Sequence, residues 1–174
     1  MNTLEKFSDI RTFIFDVDGV MTDGLVHVLD DGSLLRNMHV RDAYAIRRAV
    51  ETGYRLIVIT AGKSMGVRLR LEELGIREIY SDVRDKLAVL TDLAVHHGLD
   101  LGETLYMGDD LPDYQAMCKV HFPVCPADSV REIIGISQYV SPYRGGEGCV
   151  REVIEKVLTL HGLWFAPKGA MADR

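Results

Sequence analysis

Apolar positions along the chain fall into two kinds of block, and the difference predicts the elements. Continuous runs with β-branched and aromatic bias, at residues 11–15, 56–59, 76–81 and 104–107, read as buried strands. Residues 122–124 and 139–140 are weaker runs of the same kind. Between them, apolar residues recur at helical spacing. Ala45, Ile46, Ala49 and Val50 precede Gly53, and a segment over 64–74 closes at Gly75. Leu87, Leu90, Leu93 and Ala94 lie between Lys86 and Gly98, and Val150, Val153, Ile154, Val157 and Leu158 share one face over 150–160. Asp42 is placed to cap the first of these helices, and Pro112 to open a further one after residue 110. Residues 25–29 and 34–40 flank Asp30-Asp31-Gly32-Ser33, which is a hairpin signal. The repeated strand–helix units predict an α/β fold, a three-layer Rossmann-like parallel sheet covered on both sides.

The ends of the predicted strands carry the candidate chemistry. Phe15-Asp16-Val17-Asp18-Gly19 puts two carboxylates where the first strand stops, at the sheet edge where open α/β folds bind ligands. Thr60 ends the second long run, Lys86 opens a helix, and Gly108-Asp109-Asp110 follows the run at 104–107. The hairpin comes directly after the aspartate pair and is placed to lean over it. These residue types match what phosphoryl transfer needs: a nucleophile, a proton donor for the leaving oxygen, and positive charge at the transition state. Asp16 can attack phosphorus, and Asp18 can protonate the leaving alkoxide and then activate water. Thr60 offers a hydroxyl and neighbouring amides to phosphate, and Lys86 a point charge. Four aspartates against one lysine would repel a dianion, since each like-charged pair at about 4 Å costs roughly 4 kcal/mol at an effective dielectric near 20. A divalent cation is therefore required, and oxygen-only ligands favour Mg2+.

Composition narrows the setting. With 174 residues, 47% of them hydrophobic, and 26% charged, the chain is long enough for a sizeable core, read as one domain over 1–164 with a loose tail at 165–174. A net charge of −6 argues against a nucleic-acid partner, and no apolar run approaches membrane-spanning length. Met1 to Ile10 has no apolar core of an export signal. Cys118, Cys125 and Cys149 form neither a disulfide framework nor a zinc pattern, which suits a reducing cytoplasm. The six histidines have no metal-ligand spacing, and no serine sits in a Gly-x-Ser-x-Gly elbow.

Taken in order, Asp16-Val17-Asp18-Gly19-Val20-Met21-Thr22, Thr60, Lys86 and Gly108-Asp109-Asp110 resemble the four motifs of the haloacid dehalogenase superfamily of phosphohydrolases. Residues 40–46, Gly145-Gly146-Glu147-Gly148 and Val150-Arg151-Glu152-Val153 further resemble the phosphatases of 3-deoxy-D-manno-octulosonate 8-phosphate (KDO 8-phosphate), and the likeness runs from Ile10 to Trp164. The resemblance implies Asp16 as nucleophile and Mg2+ ligand, Asp18 as acid/base and backbone-carbonyl ligand, and Asp109 as a further ligand. It implies Thr60 and Lys86 as phosphate binders, with Asp110 and Asp113 standing behind the metal. The chain departs from the pattern in having Ile59-Thr60-Ala61-Gly62 in place of Ile-Thr-Gly-Arg, Ala43 in place of a glycine, and Glu147 in place of an arginine. Arg41, Asp42, Lys63, Arg70 and Glu147 are then the candidates for the sugar-acid end. The phosphatases of 2-keto-3-deoxynononate 9-phosphate (KDN 9-phosphate) share a glutamate in that glycine loop and are the nearest rival; a noncatalytic scaffold of the same fold is the non-enzyme alternative.

Two related classes fit less well. In a phosphorelay receiver the acidic pair precedes the phosphorylated aspartate, whereas here Asp16-x-Asp18 comes first. A phosphotransferase ATPase of the superfamily would carry Thr at position 18, and this chain keeps the acid. The stretches from Asp18 to Thr60 and from Thr60 to Lys86 are already filled by a hairpin, two helices and a strand, so no cap domain fits between them. An uncapped site is wet unless neighbouring chains roof it, and the resemblance implies a homotetramer.

Overall fold

The computed structural model describes residues 3–167 and Gly169. Strands β1 (Thr12–Phe15), β4 (Arg55–Ile59), β5 (Glu78–Tyr80), β6 (Thr104–Met107), β7 (Phe122–Cys125) and β8 (Tyr139–Val140) form one parallel sheet in the order β5-β4-β1-β6-β7-β8. Strand β1 lies at the centre, pairing Phe15 with Val58 on one side and with Met107 on the other. The chain runs outward from β1 to β5, then crosses back to β6 and runs outward again. The order therefore reverses beside β1, and that crevice is where such sheets take ligands.

Helices α1 (Thr3–Ser8), α2 (Val40–Glu51), α3 (Met65–Glu73) and α7 (Cys149–Leu160) belong with one face, and α4 (Lys86–His96), α5 (Leu111–Met117) and α6 (Arg131–Ile136) with the other. Alternation along β1 explains the two cores: Phe13 and Phe15 join the first cluster, and Ile14 joins the second. On α7, Val153, Ile154, Val157 and Leu158 are fully buried, each contributing about 1.5–3 kcal/mol of apolar burial. This is the expected three-layer α/β architecture, with a two-stranded antiparallel hairpin, β2 (His27–Val28) and β3 (Leu34–Leu35), as a separate small sheet.

Several expectations are corrected in detail. The hairpin strands are much shorter than residues 25–29 and 34–40, because both faces of each are exposed and nothing packs them into longer ladders. Asp42 does not cap α2: His39 does, accepting from the Arg41 amide, while Asp42 is buried and its Oδ1 accepts from the Arg151 amide 2.8 Å away near the start of α7. Helices α1 and α6 were not anticipated. The first is anchored by Phe7, which packs edge-on against Phe122 and Tyr139. The loose tail expected over 165–174 lies partly outside the described residues; within them, Arg48 is buried and donates to the carbonyls of Leu163 and Ala166.

Candidate active site

The chain leaves β1 at Asp16 and turns back on itself at once. The amides of Val20, Met21 and Thr22 all donate to the Val17 carbonyl, and the buried Thr22 hydroxyl donates to the same oxygen while accepting from the Gly19 amide. Gly19 has φ +82°, and a Cβ on it would lie 2.0 Å from Asp109 Oδ2. Only glycine therefore lets the turn meet the end of β6. The glycine run at 145–148 serves the same turn from outside. A Cβ at Gly145 would lie 2.0 Å from the Gly19 carbonyl oxygen, and the Gly146 amide donates to the Val20 carbonyl.

At the floor, Lys86 is 3% exposed and bridges two carboxylates, with Nζ 2.8 Å from Asp16 Oδ2 and 2.7 Å from Asp113 Oδ1. Asp85 caps α4 through the Ala88 amide and so fixes the first turn that carries Lys86. Asp16 Oδ1 accepts from the Val17 amide at 2.7 Å, so both its oxygens are held. Asp113, in the first turn of α5, also accepts from the Tyr106 hydroxyl at 2.8 Å, while its Oδ2 is buried without a partner. Asp110 caps α5 by accepting from the Leu111 amide. Thr60 directly follows β4, with its amide bonded to the Tyr80 carbonyl and its hydroxyl accepting from the Gly62 amide at 3.0 Å.

These groups share a cleft of about 260 Å³, lined by Asp16, Asp18, Thr60, Lys86, Asp109, Asp110 and Asp113 together with Gly19, Gly24, Ala61 and Pro112. Carboxylate oxygens of Asp16, Asp109 and Asp113 can all lie within 4.8 Å of one another. Crowding marks their proton affinities. Burial, then the charge of Asp113, pushes Asp16 up to about 7 against the pull of Lys86. Burial, then Asp16, Asp113 and Asp110, pushes Asp109 to about 7 as well. Burial opposes charge on Lys86, but Asp16 and Asp113 outweigh it and hold the ammonium above its usual range. A cluster of hard oxygen donors, one of them buried and unpartnered, fits a small divalent cation.

Not every candidate reaches the cleft. Asp18 does line it, but its carboxylate is outside the three-carboxylate cluster and is paired with the Arg36 guanidinium. Arg41 and Glu147 line a separate groove of about 670 Å³ with Arg151 and Lys156, which is larger than the cleft but holds none of the clustered carboxylates. Asp42 and Arg70 border a cavity of about 20 Å³ with Met21 and Met38. Lys63 pairs with Asp82 at 3.0 Å in an exposed position. Two participants were missed in the sequence, Arg36 and Tyr106. A basic residue in a hairpin expected to overhang an acidic site was the available signal for the first. For the second it was a strand tyrosine whose hydroxyl must find a partner once buried.

No family model matches the chain. Among curated proteins, it is 36% identical over 168 residues to the 3-deoxy-D-manno-octulosonate 8-phosphate phosphatase KdsC of Escherichia coli K12, covering 97% of this chain and 89% of that one. Among solved structures, the phosphatase of that name from Yersinia pestis superposes with a TM-score of 0.90 at 32% identity, covering 95% of this chain and 90% of the other. The Moraxella catarrhalis phosphatase, solved with magnesium, phosphate and KDO, superposes at 0.88 with 32% identity and 92% of each chain covered. With this identity spanning almost its whole length, and with the carboxylate cleft at the sheet's reversal point, the chain belongs to the KdsC family of 3-deoxy-D-manno-octulosonate 8-phosphate phosphatases within the haloacid dehalogenase superfamily.

Proposed function

We propose that the protein is a Mg2+-dependent phosphatase that hydrolyses KDO 8-phosphate to the free sugar acid and phosphate, in lipopolysaccharide precursor synthesis. The observation that carries this reading is the buried Asp16–Lys86–Asp113 bridge beside Asp109, at the floor of the cleft. Asp16, Asp109 and the main-chain carbonyl of Asp18 would hold the cation, with Asp113 beside them. Bound there, it supplies the positive charge that keeps these carboxylates ionised and offsets a phosphate dianion.

The chain's own residues do the rest. Asp16, oriented by Lys86 and the Val17 amide, forms a new bond to phosphorus as the ester P–O bond breaks. The leaving alkoxide takes a proton from Asp18. Asp18 then takes a proton from water, which attacks the aspartyl-phosphate and frees Asp16. Thr60 donates to a phosphate oxygen, and Lys86 neutralises charge from the protein side. The arrangement suits hydrolysis better than a noncatalytic scaffold, because a scaffold has no use for a buried lysine between two carboxylates.

For the sugar-acid end, Arg41 and Glu147 lie on a groove outside the chain's own cleft. We assign them, with Lys63 and Arg70, to substrate binding across subunits of a homotetramer in the cytoplasm; Asp42, buried and holding the Arg151 amide, supports that surface from behind. The apolar hairpin residues Leu25, Val28 and Leu35, 70%, 71% and 54% exposed, are the surface such an assembly would cover. The test is kcat/KM on KDO 8-phosphate, KDN 9-phosphate and simple sugar phosphates. A preference of about tenfold or more for the eight-carbon acid, about 1.4 kcal/mol at the transition state, is expected. The same preference for the nine-carbon acid, or none between sugar acids and simple sugars, overturns the substrate assignment.

A further inference from the structure

Over residues 23–37 every residue is exposed except Arg36, which turns inward from the end of the hairpin. Its side chain is only 8% exposed. It grips Asp18 with two donors, Nε to Oδ1 at 2.6 Å and Nη2 to Oδ2 at 3.1 Å. Such a forked pair fixes the plane of a carboxylate as well as its position, which a single contact does not. The space for it is made by Gly62. A Cβ there would touch Asp18 Oδ2 and Thr60 Oγ1 at 3.4 Å and Arg36 Nη2 at 3.6 Å. Among the described residues the base of the hairpin is otherwise closed by a Thr22–Met38 bridge and a long Asn37–Asp23 contact of 3.5 Å between its two arms.

We propose that Arg36 is a positioning residue that orients the Asp18 carboxylate for its step as base, taking the proton from the attacking water, and at the same time ties the hairpin to the mouth of the cleft. This rests on Asp18 acting as the acid/base in the reading above. Hairpin and proton-transfer group then move as one unit. Anything that displaces the hairpin, such as a neighbouring chain or an incoming sugar, changes the aim of Asp18. Arg36 acts through Asp18 and makes no direct contribution to holding phosphate, which falls to Thr60 and Lys86.

Two readouts test this together, on the full chain with Mg2+. In the first, Arg36→Gln should lower kcat on KDO 8-phosphate about 10–100-fold with KM within about threefold, and Arg36→Lys, which keeps a charge but not the fork, should recover only a minor part of that loss. In the second, limited proteolysis within residues 25–35 should accelerate to the same extent in Arg36→Gln and in Asp18→Asn, because each removes half of one tie. A rise in KM with kcat kept would make Arg36 a substrate ligand and overturn the proposal. A kcat kept in Arg36→Gln or restored in full by lysine, or hairpin cleavage unchanged in either variant, overturns it too. If the parent protein has no activity on KDO 8-phosphate, the phosphatase reading fails, and the cleavage comparison alone decides whether the tie exists.

Discussion

Replacing Lys86 with methionine keeps most of the buried stem and removes the charge, so its effect isolates what the ammonium does for the cleft. The lysine lies 2.8 Å from Asp16 Oδ2 and 2.7 Å from Asp113 Oδ1. At an effective dielectric near 20, each contact corresponds to about 6 kcal/mol of gross attraction. The net effect is smaller, because desolvation opposes the pair and an abandoned carboxylate takes up a proton. Breaking a buried pair typically costs about 3–5 kcal/mol, and we expect a loss in that range near pH 8 without metal.

The sign of the pH dependence follows from protons bound. Asp16 already titrates near 7 when folded, well above its ordinary 3.8. Removing Lys86 takes away the charge that pulls Asp16 down and so raises its proton affinity further. The folded variant therefore binds more protons than its unfolded chain across neutral pH, and its stability falls more steeply than the parent's as pH rises. Near pH 5.5, where Asp16 is protonated in either protein, the deficit should shrink to about half. Urea unfolding in EDTA at fixed protein concentration, followed by the single tryptophan, Trp164, which is 4% exposed, measures both values. A loss below about 1 kcal/mol near pH 8, or one that does not shrink on acidification, would refute the idea that Lys86 balances the carboxylates.

Gly19→Ala should cut turnover more than about 100-fold while leaving the circular dichroism unchanged, because the new methyl, at φ +82°, collides with Asp109; near-parent activity would show the turn can give. Metal-free protein should lose stability as pH rises from about 4 to about 7, as Asp16 and Asp109 shed the protons that their raised affinities hold. The thermal shift on adding Mg2+ should consequently be larger near pH 8 than near pH 5.5, and a larger shift at the lower pH contradicts the site. Sedimentation should find an assembly that Val28→Asp on the exposed hairpin weakens, and a fully active parent monomer would remove the proposed roof.

Much of the fold could be read from the chain because a parallel sheet buried on both faces writes its strands as apolar runs. Residues 56–59 lie within β4, and 104–107 are β6, so the apolar runs alone put Thr60 and Asp109 at the sheet edge. Helix α7 was equally plain, with its buried face at regular spacing. Helix α6 was not, since six residues with only Ile133 buried give no period to detect. The hairpin was overextended for the opposite reason: its apolar residues come in runs, but they face solvent, and pattern alone does not reveal an unfilled face. Lys86 was marked by its place in an ordered motif set, whereas its bond to Asp113 joins residues 27 apart and leaves no local trace. Arg36 carries no local mark of its role, because its partner lies 18 residues earlier, across a turn. Asp42 read as a cap because carboxylates commonly are; its true bond, to the Arg151 amide, spans 109 residues.

The central claim is covalent: phosphate passes through the side chain of Asp16. Mixing the protein with Mg2+ and KDO 8-phosphate labelled at phosphorus, quenching in acid within a turnover and mapping the label by peptide mass spectrometry examines it directly. The account predicts label on Asp16 alone, and neither label nor turnover in folded Asp16→Asn. Label on another residue, or substantial turnover by the folded Asp16→Asn protein, would contradict it.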